Sequence, residues 1–228
     1  SKEMIQAKVL LHNEYLLLQT LKNLENVENN YDFCIDLIPN EKSKTPTKRF
    51  TLVLDAYSDK SCENWLNISE VNHYISLQEY ISKNKLNERD ATSIFYEIVK
   101  IVERIHKLNV CHRDLKIQNF LINYKTKKIM LTNFCLGVVC SDNQLLSDQR
   151  GSPAYISPEL LQGSYNGKMS DVWTLGVVFF ILIYQNFPFV DSTTAALFKK
   201  ICQCELSFPD GNVRISEETK KLIKKFQF

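Results

Sequence analysis

The sequence predicts an α+β fold in two lobes, a small strand-bearing N-terminal part followed by a larger, mostly helical one. Three observations predict it. Strand-length runs of β-branched and aromatic residues cluster before residue 57. A 3.6-residue apolar period runs from Ile94 to Leu108. The stretch Val172 to Tyr184 is apolar all round, as in a helix buried on every side. The expected divisions are 1–57 for the small lobe, 58–72 for a polar insertion at the hinge, and 73–228 for the large lobe.

The elements follow in order. Val9 to Leu21 carries apolar residues with no Gly or Pro and reads as one long helix. Tyr31 to Ile38 reads as a strand, Pro39 to Arg49 as an exposed basic loop, and Phe50 to Asp55 as a buried strand. The basic loop is read as a solvated turn in preference to a nuclear-localisation signal. Short helices are expected around Ser76 to Lys83. Asn87 is a helix cap with Asp90 three residues on, and the helix it opens buries Ile94, Phe95, Ile98, Ile101, Val102, Ile105 and Leu108. Strand pieces at Phe120–Ile122 and Ile129–Leu131 flank a Lys-rich turn. Gly137 to Glu159 lacks a period and reads as loop. Ser170 is the expected cap of a helix from Asp171 to Tyr184, and helices are expected at Thr193–Cys202 and Ser216–Phe226.

Composition narrows the function classes. A net charge of +2 over 228 residues supplies no basic surface for a nucleic acid. Seven cysteines without a Cys-x-x-Cys argue against zinc and against a disulfide framework, and are read as reduced thiols of a cytoplasmic or nuclear protein. Ser1 to Ala7 is polar and does not read as a signal peptide. Val172 to Tyr184 falls short of the roughly 20 residues that span a bilayer, so no membrane is expected.

The chemistry is concentrated in Val110-Cys111-His112-Arg113-Asp114-Leu115-Lys116-Ile117-Gln118-Asn119. This resembles the protein-kinase catalytic loop, H-R-D-L-x-x-x-N, at every fixed position. Gly151-Ser152-Pro153-Ala154-Tyr155-Ile156-Ser157-Pro158-Glu159 resembles the end of an activation segment, and Asp171-Val172-Trp173-Thr174-Leu175-Gly176 the central helix of the large lobe. The resemblance implies a bilobal protein-kinase-like fold. It gives Asp114 the role of accepting a substrate hydroxyl proton, Lys116 that of neutralising the transferring phosphoryl, and Asn119 that of holding a magnesium ion. His112 and Arg113 would brace the loop. Asp171 would be structural.

The same resemblance marks departures. Asn133-Phe134-Cys135 stands where a kinase has Asp-Phe-Gly, so a neutral amide replaces the carboxylate that grips magnesium. Cys135 replaces a Gly that takes angles other residues resist. No G-x-G-x-x-G exists in the chain, and no V-A-I-K-like strand precedes the first helix. Glu14, the expected partner of that strand's lysine, is therefore read as a solvated helix residue. Glu159 is read as a buried carboxylate whose arginine is missing, at a cost of roughly 3–5 kcal/mol. A shortened chain of low thermal stability is expected.

Asn133 to Gly137, Asp148 to Pro158 and Phe187 to Ser192 resemble the Tribbles-related pseudokinases. That resemblance implies an adaptor that uses ATP poorly and presents protein substrates to a ubiquitin ligase. No metal or other cofactor is expected. ATP and magnesium enter only with the alternative, a weakly active serine/threonine kinase with Asp114 as base. A partner peptide is expected in a groove at Arg150, Gly151 and Tyr155, and Arg113 is expected to pair with Asp148.

Overall fold

A computed structural model of the chain describes residues 2–38, 47–54, 73–209 and 215–226. The N-terminal part opens with helix α1 (Lys2–Thr20), which packs on a hairpin of strands β1 (Asn30–Ile38) and β2 (Thr47–Leu54). Tyr15 stacks on Phe33 at 5.3 Å, and Phe33 leans on Phe50 across the hairpin at 6.3 Å. β2 begins earlier than the sequence predicts. Thr47 to Arg49 belong to it, and Arg49 reaches Asp36 of β1 at 2.8 Å. It is also not fully buried, since Val53 is exposed. The rest of the basic loop and the whole of 58–72 lie outside the described residues.

The larger part starts at β3 (Tyr74–Ser76) and α2 (Leu77–Lys83), the latter capped by the Ser76 hydroxyl on the Glu79 amide. α3 (Glu88–Lys107) is capped by Asn87, whose Oδ1 accepts the Asp90 amide at 2.8 Å. Its apolar stripe is buried as predicted, except that Leu108 falls at the helix end and is exposed. Strands β5 (Phe120–Asn123) and β6 (Ile129–Leu131) join β3 in an antiparallel sheet, and the two-residue strand β4 (Val110–Cys111) pairs with β7 (Val138–Val139). The segment read as loop therefore contains β7, then β8 (Leu145–Leu146) paired with β9 (Tyr165–Asn166), and the short helix α4 (Pro158–Leu161). Two-residue strands carry too little alternation to be read from sequence.

The core is built around α5 (Gly167–Tyr184), with α6 (Thr194–Gln203) and α7 (Glu217–Phe226) beyond it. α5 is long and apolar enough to cross a membrane by length and composition, but 83% of it is buried inside the domain, as in the core helix of a globular protein. Phe95 of α3 stacks on Phe179 of α5 at 4.2 Å and takes the edge of Phe226 of α7. The start of α5 corrects the expected cap. Asn166 Oδ1 accepts the Met169 amide, while Ser170 is buried inside the first turns and bonds Ser157.

The two parts are tied at residues 26–28. The Leu131 amide donates to the Asn26 carbonyl at 2.8 Å, and the Glu28 amide donates to the Leu131 carbonyl at 3.0 Å. This places α1 directly over the turn that follows β6.

Candidate active site

Arg113 has φ of +64°, a left-handed conformation that a long side chain adopts only under constraint. The constraint is Asp171. Its carboxylate, 1% exposed, accepts the His112 and Arg113 amides at 2.9 Å each and contacts His106 Nε2 at 2.8 Å. A helix core thus fixes a loop backbone. His112 is fully buried. Its Nε2 faces the Thr132 carbonyl, which only accepts, and its Nδ1 accepts the Asp114 amide. Burial holds its pKa below the usual histidine value, so it stays neutral in that tautomer.

This bracing presents Asp114. Ser152 donates to Oδ1 at 2.8 Å, Lys116 Nζ meets Oδ2 at 2.8 Å and reaches Ser152 at 3.1 Å, and Asn119 Nδ2 donates to Oδ2 at 3.3 Å. The structure therefore brings Asp114, Lys116 and Asn119 together. Ser152 was missed by the sequence reading, although it follows Gly151 in a segment already singled out. That glycine is needed there: it has φ of +130°, and a Cβ would come within 3.1 Å of the Arg113 carbonyl.

Asn133 sits beside this cluster with φ of +67°, which asparagine tolerates better than most residues. Its Nδ2 donates to Asn119 Oδ1 at 3.2 Å, and its Oδ1 accepts from Cys135 Sγ at 2.9 Å. The Asn119 amide is oriented by its own Nδ2 on the Asp114 carbonyl at 2.8 Å. Two groups that would face a divalent ion are thus hydrogen-bonded to each other. Magnesium is a hard cation that binds carboxylates and phosphates. The donors here fit it poorly, because one amide oxygen is taken by a thiol and the other by an amide N–H. Among the described residues, no cluster of three or more His, Cys, Asp or Glu side chains is arranged to hold a metal. Cys135 itself is not in a positive-φ conformation, so the side chain that replaces glycine is unstrained here.

Glu14 is not solvated. It is 8% exposed, and its Oε1 accepts the Phe134 amide at 2.7 Å. The sequence reading went wrong because it looked for an ionic partner, and the partner is a backbone amide. Asn13, also missed, donates to the Cys135 and Gly137 carbonyls at 3.1 and 2.9 Å, so α1 clamps the whole Asn133–Gly137 turn. Burial raises the Glu14 pKa above its ordinary 4.5, and the Phe134 hydrogen bond opposes the shift only in part. The native state therefore binds the proton more tightly than the unfolded chain, and stability falls as pH rises above that ordinary value. Glu14→Gln keeps an acceptor for Phe134 and removes the buried charge. It is expected to raise the melting temperature near pH 7 by roughly 2–4 °C, the effect of about 1 kcal/mol, and to lose that advantage near pH 4. Differential scanning calorimetry at both pH values checks this.

Arg113 Nη1 pairs with both oxygens of Asp148 at 2.8 and 2.9 Å, and its Nε donates to the Leu136 carbonyl at 2.7 Å. Arg150 Nε meets the same Asp148 at 2.8 Å. An aspartate thus holds residues 148–152 against the loop where a phosphate would otherwise be needed. Asp148→Ala is expected to cost about 1 kcal/mol, because Asp148 is 43% exposed and solvent screens the pair. The clearer readout is limited proteolysis, with faster trypsin cleavage after Arg150. An unchanged digestion rate would remove the tether.

Two further expectations change. Tyr155 is 5% exposed and packs edge-on against Phe187 at 5.4 Å, and the space among Arg113, Asp114, Arg150, Gly151 and Tyr155 is only about 10 Å³. That volume holds about one water molecule, and no peptide side chain. Glu159 is half-buried, so the cost of a buried unpaired carboxylate does not apply.

Comparison with known proteins agrees with this geometry. The family model described as protein kinase domain matches residues 2–227. The chain is 44% identical over 241 aligned positions to serine/threonine-protein kinase 40 of Gallus gallus, covering 99% of this chain and 53% of that protein. It is 43% identical to the human protein of that name over the same span. It is 38% identical to the probable serine/threonine-protein kinase HSL1 of Saccharomyces cerevisiae over 171 positions, 72% of this chain and 11% of that protein. The chain spans about half the length of the first of these relatives. On its motifs, its braced catalytic loop and a match that runs from end to end, the chain belongs to the protein kinase domain family.

Proposed function

We propose that this domain is a Tribbles-related pseudokinase: a catalytically impaired kinase domain that serves as a cytoplasmic or nuclear scaffold for protein partners. The observation that carries the reading is the Asn133–Asn119 hydrogen bond, which joins through neutral amides the two positions that would bind cations. The resemblance to the Tribbles-related proteins adds that the partner is a substrate held for a ubiquitin ligase. A thermal-shift titration tests the impairment. A ligand at about 100 times its dissociation constant stabilises by ~2.7 kcal/mol, several degrees here. No such shift with magnesium and ATP is expected. A shift that requires both together would overturn the reading.

A second reading rests on its own observation. Asp114, Lys116 and Ser152 form the contacts of an assembled base, with Asp114 accepting a hydroxyl at 2.8 Å. It is a weak serine/threonine kinase with ATP as phosphate donor. Phosphate incorporation from labelled ATP that Asp114→Asn abolishes would support it over the scaffold.

A further inference from the structure

The closed space around Arg150, Gly151 and Tyr155 leaves open where a partner chain meets the catalytic loop. On the other side of the Tyr155–Phe187 contact lies a cavity of about 290 Å³. Its floor is apolar, from Ile81, Ile117 and Phe187. Its rim carries Gln78, Gln118 and Gln185. Ile117 and Gln118 are the two residues between Lys116 and Asn119, so the cavity adjoins the cluster around Asp114.

The lining contains no charged side chain. The nearest acid on α2, Glu79, is one residue outside it and is held by Lys83 at 2.5 Å. Gln78 and Gln118 are exposed, and Gln185 donates to the Ile81 carbonyl at 3.0 Å. A cavity this size lies just below the range of small-molecule sites and suits one or two side chains. An apolar floor under neutral amides rewards an uncharged side chain. It gives a cation or a phosphate nothing to offset the loss of water. The outward amides can pair with a peptide backbone.

We infer that this cavity is a docking subsite for an extended peptide of the partner protein, and that it selects an uncharged residue, aliphatic or amide. This rests on the reading of the domain as a peptide-engaging scaffold, and it specifies what that scaffold takes.

The test uses fluorescein-labelled Gly/Ala peptides with a central Ser and one scanned position, filled by Leu, Gln, Arg or Asp, with affinity read by fluorescence polarisation. Wild type is expected to bind the Leu or Gln peptide at least about fivefold more tightly than the Arg or Asp peptide. The double variant Gln78→Glu, Gln118→Glu adds two carboxylates to the rim at exposed positions outside the Asp114 cluster. It is expected to tighten the Arg peptide about fivefold and leave the Leu peptide within about twofold, the size of screened surface pairs. Peptides that bind wild type with no preference, or a variant whose Arg affinity does not change, would overturn the subsite and leave the scaffold reading standing. A wild type that binds none of the peptides would overturn both. A melting temperature for the double variant within about 2 °C of wild type separates loss of binding from loss of fold.

Discussion

Asp171→Ala is expected to lower the melting temperature by roughly 10 °C, the largest effect of any single substitution considered. The carboxylate accepts two backbone amides and contacts His106, all in a site that is 1% exposed. Removing it strands two buried donors at about 1–3 kcal/mol each. It also removes the restraint that keeps Arg113 at φ of +64°. The sum is about 3–5 kcal/mol, and each kcal/mol is worth about 2–4 °C in a domain of this length. Asp171→Asn is the informative control, because it keeps one acceptor oxygen and should recover about half of the loss. Circular dichroism melts of the three proteins decide the matter. If alanine and asparagine are equally mild, Asp171 does not hold the loop.

The second large effect is a gain. Asn133→Asp replaces an amide that donates to Asn119 with a carboxylate that cannot. Without metal the new anion lies near Asp114, Glu14 and Glu28, all largely buried. Like charges raise its pKa, so the native state binds the proton more tightly and the variant regains stability as pH falls. A loss of roughly 1–2 kcal/mol near pH 7, or about 3–6 °C, is expected in metal-free buffer. Millimolar magnesium with ATP should restore that loss and add several degrees more, while wild type stays unmoved. A variant indifferent to magnesium would mean that the amide is not what separates this domain from metal binding. A wild type that responds equally would mean that the amide suffices.

Much of this was legible in the chain. His112 to Asn119 sit close together in sequence, so the loop and its roles could be read directly, and Asp171 announced itself within the apolar helix. The Asn87 cap and the α3 stripe follow from local hydrogen bonding and a 3.6-residue period, which need no tertiary information. Glu14 and Asn13 show what was not legible. Their partners are backbone groups more than 100 residues away, and a backbone amide has no sequence signature. Tyr155 failed for a related reason: a loop residue with a polar tip looks exposed until the Phe187 ring covers it.

The sequence alone determined the family resemblance, the helices with a clear period and the loss of a carboxylate at position 133, because residue identity and short-range spacing carry all three. Only the tertiary structure decided that the Asn133 amide is bonded to Asn119, that Glu14 is buried on the Phe134 amide, and that the open cavity lies beside Gln118. Those depend on which distant surfaces meet when α1 and α5 close on the same loop, and burial is a property of that meeting.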